Sequence, residues 1–159
     1  MSNIKFDVKN LNLHYGKFHA LKDVNMEIPE KQITAFIGPS GCGKSTFLKC
    51  LNRMNDLVEG CNITGDVKLD GEDIFDGMDV NLLRKRVGMV FQNPNDQIFK
   101  NTVLDEVMFG PMQIGMSKDK AKEVALKALD MVGLKGTEKI NPYDLGLSER
   151  KMVSIAAIV

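Results

Sequence analysis

The sequence predicts an α/β fold: a partial parallel sheet, an antiparallel β part at the N-terminus and a helical part at the C-terminus. Three observations carry that reading. The first thirty residues alternate apolar and polar in short bursts, the period of half-wet strands. Two runs, "ITAFI" (Ile33–Ile37) and "VGMVF" (Val87–Phe91), are apolar without alternation, as in strands buried on both faces of a helix-covered sheet. Residues 117–132 repeat at helical spacing.

In chain order, "IKFDVKNLNLHY" and "VNMEIPE" read as antiparallel strands with one wet face. "ITAFI" ends in Gly-Pro-Ser-Gly, and "KSTFLKCLNRMND" then sets Phe47, Leu48, Leu51 and Met54 at helical spacing. "GDVKLDGEDI" returns to strand and turn character, and "NLLRKR" is a short helix leading into "VGMVF". After a polar break, "QNPNDQIFKN", comes the clearest helix, Ser117 to Val132. Its Ala121, Val124, Ala125, Ala128, Leu129 and Val132 fall on one face, with Lys and Glu opposite and Gly133 as a stop. Another helix starts near Ser148 and runs to the end of the sequence. The expected organisation is a core with its antiparallel part over 1–94, a helical part over 95–147, and the start of a final helix over 148–159.

At 159 residues the chain is about one domain long. It is 43% hydrophobic, with 21 basic against 21 acidic residues, which argues against a nucleic-acid or membrane-surface binder held by non-specific charge. The three cysteines, Cys42, Cys50 and Cys61, suit reduced thiols in a cytosol rather than a disulfide framework. No apolar run approaches the ~18 residues needed to cross a bilayer.

"GPSGCGKST" (Gly38 to Thr46: Gly38, Pro39, Ser40, Gly41, Cys42, Gly43, Lys44, Ser45, Thr46) fits G-x-x-x-x-G-K-[ST] between an expected strand and an expected helix. Gly38, Gly41 and Gly43 let the backbone curl so that successive N–H groups face one concavity. A helix beginning near Lys44 adds its positive end. Lys44 supplies a mobile charge for β- and γ-phosphates, and the Ser45 hydroxyl can sit on Mg²⁺. The competing reading is a glycine turn that matches by chance, and the strand-loop-helix context speaks against it. The loop is expected to bind a nucleoside triphosphate. Cys42 occupies a free position of the motif, where a small residue is simply tolerated. Yet a thiol beside a helix N-terminus and a lysine should ionise more easily, so its alkylation is expected to block nucleotide binding.

The longer stretch "LNLHYGKFHALKDVNMEIPEKQITAFIGPSGCGKST" resembles the opening of ATP-binding cassette (ABC) transporter ATPases. That resemblance implies a P-loop NTPase fold, with ATP and Mg²⁺ as ligands. It also implies a second ATPase subunit and transmembrane permease subunits as partners, no nucleic acid, and a cytoplasmic location on the inner face of the membrane. It assigns Tyr15 to stacking on adenine. "VGMVFQNP" is similar to the family's Q-loop, where Gln92 would touch Mg²⁺ and the attacking water. Where the family has Leu-Ser-Gly-Gly-Gln at a helix start, facing the γ-phosphate of a second subunit, this chain has "LGLSE": Leu145, Gly146, Leu147, Ser148, Glu149. Gly146 replaces the serine, which leaves that contact in doubt. Residues 1–94 resemble phosphate-import ATPases; residues 95–159, from "NDQIFKNTVLDEVMFGP" onward, resemble cobalt/nickel and energy-coupling-factor ATPases. The two likenesses suggest a recombinant or chimera joined near Gln92.

The family also has an apolar strand ending in Asp-Glu after the signature helix, the Walker B strand, and later a switch histidine. The sequence reaches Val159 before either. Asp105–Glu106 is expected to be a solvated helix start, and His14 and His19 ordinary surface residues. Without the central strand, "ITAFI" and "VGMVF" would pair directly, be covered by a second chain as in a homo-oligomer, or rearrange. The expected function is the ATP-binding part of an importer ATPase, phosphate being the favoured solute. A binding module with very weak or no hydrolysis, and an engineered folding scaffold, are the alternatives.

Overall fold

A computed structural model describes residues 3–158. The chain divides into two compact units, one ending at Val87 and one beginning at Gly88. Each has its own apolar core.

The first unit is built on an antiparallel sheet. β1 (Ile4–Tyr15) and β2 (Phe18–Pro29) form a hairpin, β3 (Cys61–Leu69) pairs with the other edge of β1, and the short β4 (Glu72–Asp73) follows, in the order β2-β1-β3-β4. Alternation buries Phe6 and Val8, then Leu11 and Leu13, so the phase slips between the two pairs. The slip has a visible cause. Asn10 adopts φ 53° opposite Gly65 at φ 100°, and a Cβ on Gly65 would collide with the Asn10 carbonyl oxygen. Glycine therefore admits a bulge that returns Leu11 to the buried face. α1 (Lys44–Leu51) lays Phe47, Cys50 and Leu51 on the sheet core of Val67 and Leu69. α2 (Val80–Arg86) adds Leu83, its first turn capped by Asp79, whose carboxylate accepts the Leu82 N–H at 2.8 Å.

The second unit is helical: α3 (Val103–Gln113), α4 (Lys118–Met131) and α5 (Leu147–Ala156). Thr102 caps α3 by accepting the Asp105 N–H at 3.1 Å. The apolar face expected on residues 117–132 is the buried one, through Ala121, Ala125, Ala128 and Leu129, and its small residues let helices approach closely. α5 begins at Leu147, one residue before the expected Ser148; Val159, the last residue of that expected segment, lies outside the described residues. Among the described residues no helix is long and apolar enough to cross a membrane.

The α/β class, the N-terminal antiparallel part and the C-terminal helical part are present, but the two apolar runs are not strands. Residues 33–37 are irregular chain with no sheet partner among the described residues. Ile33 and Ile37 are 101% and 95% exposed, and only Phe36 turns inward, edge-on to Phe47 with ring centroids 5.3 Å apart. In the second unit, residues 88–91 are likewise not in a ladder: Gly88 lies against Ile158, and the Phe91 N–H donates to Gln97 Oε1 at 3.2 Å. These contacts explain why "GMVF" belongs with the helices that follow it. An apolar run states a demand for burial, but a strand exists only through its neighbour's hydrogen bonds.

Two smaller expectations are corrected as well. Asp105 is exposed, but Glu106 is 4% exposed rather than solvated, because one helical turn places it beside Val103 and Val107. Its side-chain oxygen accepts the N–H groups of Phe99 and Lys100 at 3.0 and 2.8 Å, which gives the buried polar group its partners. His14 and His19 are not free surface side chains but a half-buried cross-strand stack, with centroids 3.9 Å apart and planes at 17°.

Candidate functional site

The glycine-rich loop leads from the irregular segment 33–37 into α1. Gly41 (φ 80°) and Gly43 (φ 95°) are both left-handed, a conformation that side chains resist. Gly43 is also the N-cap of α1, and its carbonyl accepts the Phe47 N–H at 2.8 Å. A Cβ on Gly43 would stand 2.8 Å from Leu21 Cδ2 of β2, and one on Gly38 2.8 Å from Cys42 Sγ. Glycine thus permits the close approach of the loop to β2 and to its own Cys42 side chain. No side chain caps α1 and no acidic residue stands in its first turn. Its first N–H groups, which have no partner inside the helix, are therefore left for an anion.

Lys44 folds back over this loop. Its Nζ donates to the carbonyl oxygens of Gly38 and Pro39, both at 2.7 Å, and to Cys42 Sγ at 3.3 Å. Gly38 to Cys42 and Ser45 are exposed, while Gly43, Lys44 and Thr46 are half-buried. Neutral carbonyls hold the ammonium where phosphate oxygens would make stronger, charge-assisted bonds. The loop residues could therefore hold a polyphosphate, and Ser45 lies exposed at the head of the helix. Among the described residues no group of three His, Cys, Asp or Glu side chains could hold a metal.

Behind the loop lies a polar network that the sequence did not disclose. Tyr15 ends β1 on the face of Leu11 and Leu13, and its hydroxyl donates to Asn55 Oδ1 at 3.0 Å. Burial pushes the Tyr15 phenol above its ordinary range. Asn55, fully buried, donates through Nδ2 to the Thr46 carbonyl at 3.0 Å and to Cys50 Sγ at 3.1 Å. The Cys50 thiol donates in turn to the same carbonyl at 3.3 Å, and burial pushes it up to about 11. The structure thus joins Tyr15 to the end of the loop motif. An asparagine in "NRMND" gives no warning of this, since such residues ordinarily read as a turn.

The remaining sequence candidates lie in the second unit. Gln92 is exposed and follows Phe91, whose N–H is held by Gln97; the Gln97 Nε2 also donates to the Ser154 carbonyl at 3.3 Å. Gln97 ties the segment before Gln92 to α5, a role no sequence signal marked. Leu145 is buried, while Leu147 (60% exposed) and Ser148 face solvent. Gly146 is the N-cap of α5, and its N–H donates to Glu149 Oε2 at 2.9 Å. A carboxylate therefore engages a donor that an anion would otherwise use.

Residues 21–159 match the ABC transporter family. Among solved structures, cbiO1 from Clostridium perfringens, described as part of the ABC transporter complex cbiONQ, is similar with a TM-score of 0.83 at 28% identity. The match covers 98% of this chain, running through both units, and 61% of that chain. The chain therefore spans less than two thirds of the length of that relative.

Proposed function

The chain belongs to the ABC transporter family, and from that premise we propose that it is the ATP-binding part of a solute-importing ATPase, holding Mg-ATP through Gly38–Thr46. One observation carries the reading. The Lys44 ammonium folds back over the glycine-rich loop at the uncapped head of α1, held by the Gly38 and Pro39 carbonyls and a thiol. A triphosphate can displace those partners and gain the free N–H groups of the helix start. In this proposal Lys44 neutralises β- and γ-phosphates, the loop glycines let the backbone close on them, Ser45 takes the metal ion, and Tyr15 is the platform for adenine. The motif order likewise proposes Gln92 for the metal and water contact, and Leu145–Glu149 for the signature segment.

Hydrolysis, a second ATPase subunit, permease partners and a place on the inner membrane face are proposed for the whole protein, on family grounds. Phosphate as the solute is proposed on the likeness of residues 1–94 alone, and a join near Gln92 on the change of likeness there. The test is a titration of fluorescent Mg-ATP against the chain and its Lys44→Ala variant. Saturable binding lost in the variant is expected. No binding by the folded, unaltered chain overturns the proposal.

A further inference from the structure

Asn55 touches both ends of the proposed nucleotide site. Its Oδ1 receives the hydroxyl of Tyr15, forty residues earlier, and its Nδ2 reaches the carbonyl of Thr46, the last residue of the loop motif. We propose that Asn55 is a positioning residue for nucleotide binding, fixing the Tyr15 base platform at a set distance from the phosphate loop. This inference rests on the nucleotide reading above.

Burial makes the bonds informative. Asn55 is 0% exposed, so each of its polar atoms needs a partner. It has them all: the Tyr15 hydroxyl on Oδ1, and Thr46 O and Cys50 Sγ for the two amide hydrogens. A side chain needed only for volume would be apolar there, since an apolar group carries no risk of unpaired donors. The amide instead bridges β1 and α1, two elements with no covalent proximity.

The bridge is itself held firmly. Asn52 ends α1, and its Oδ1 accepts the Met54 N–H at 3.2 Å. Arg53 then turns left-handed at φ 57° and starts the short 3₁₀ turn Met54–Leu57, which swings Asn55 back beneath the helix. Arg84 Nη2 donates to the Arg53 carbonyl at 3.2 Å, and Arg53 Nη1 to the Ile74 carbonyl at 3.1 Å. Phosphates meet the front of α1 while Asn55 grips the carbonyl of Thr46 behind it. A shift of Asn55 would therefore move base platform and phosphate loop apart.

The experiment compares Mg-ATP with Mg-tripolyphosphate, which lacks base and sugar, on the unaltered chain, Tyr15→Phe and Asn55→Ala. Base stacking predicts that the unaltered chain binds ATP about tenfold or more tighter than tripolyphosphate. Both variants are expected to weaken ATP more than tripolyphosphate, so that the ATP preference falls about threefold or more, the scale of one lost hydrogen bond. A merely structural Asn55 would weaken both ligands together or neither, leaving the ratio unchanged, and that result overturns the inference. If Asn55→Ala fails to fold, Asn55→Ser takes its place, keeping a polar group but too short to hold both partners, because Tyr15→Phe also removes the hydroxyl's bond to the Thr46 side chain. If the unaltered chain binds neither ligand, or both equally, the nucleotide reading with Tyr15 as platform fails instead.

Discussion

Cys42 Sγ accepts a hydrogen bond from Lys44 Nζ at 3.3 Å, so the exposed thiol shares the ammonium proposed to meet the phosphates. The other two thiols are protected: burial pushes Cys50 up to about 11 and raises Cys61 above the ordinary thiol range. A maleimide should therefore label Cys42 first and Cys50 last. The adduct would crowd the loop and block Lys44, so labelled protein should lose ATP binding, and Mg-ATP should slow the labelling. Timed mass spectrometry with and without nucleotide checks both. Full ATP affinity in completely labelled protein would sink the idea.

The Tyr15 hydroxyl is already committed to Asn55, which has a consequence for base choice. The ring can offer its face but not a directed hydrogen bond to a base edge, and stacking tolerates any base. ATP and GTP should therefore bind within about threefold of each other, since ~1–3 kcal/mol of stacking is available to either. Competition of each against a fluorescent analogue measures the ratio. A preference beyond about tenfold would require a hydrogen-bonding base contact somewhere else.

Much of this was legible in the sequence wherever a feature is local. The phosphate loop is a contiguous motif whose glycines have backbone reasons, and its left-handed Gly41 and Gly43 follow from them. The alternation of β1 and the helical face of α4 needed only their own residues to be read. What escaped depends on partners distant in the chain. "ITAFI" has the composition of a core strand, but among the described residues no neighbouring strand supplies its ladder, and Ile33 stands fully exposed. Glu106 looked like an ordinary acidic helix start until the Phe99 and Lys100 amides were seen to fold onto it. Asn55 was invisible for the same reason, its meaning set by Tyr15 forty residues away.

Glu106 and Asp105 are adjacent carboxylates with opposite fates, which makes them a matched pair for stability. Removing the buried Glu106 side chain takes away the acceptor of two part-buried N–H groups, so Glu106→Ala should destabilise by about 1–3 kcal/mol. Asp105 is exposed and bonds only the Thr102 hydroxyl, at 2.6 Å, so Asp105→Ala should lie within about 1 kcal/mol of the unaltered chain. Glu106→Gln keeps an acceptor and should fall between the two. Urea unfolding followed by the helical signal ranks the three, and equal midpoints for the two alanine variants would contradict the buried role.

The His14–His19 stack gives the first unit a proton-sensitive brace. Three influences hold the His19 imidazole below its ordinary value of 6.5: burial first, then the positive character of His14 stacked on it and of Lys22 nearby. Its Nε2 meets Asn12 Oδ1 at 2.8 Å, and because that oxygen can only accept, Nε2 carries the hydrogen. Asn12 Oδ1 also accepts the Asp23 N–H at 3.1 Å, so the neutral ring closes a network joining β1 to β2. The sign follows from the depressed folded value. The unfolded chain takes up the proton more readily, so this contribution to stability is fully present above about pH 6.5 and is lost as pH falls through the lower folded value. Titrating the His19 ring protons by NMR should give a midpoint below 6.5, and melting followed across that range should show stability declining on acidification. A His19 midpoint at or above 6.5 would mean that neither burial nor its charged neighbours govern the stack, and the acid sensitivity should then be absent.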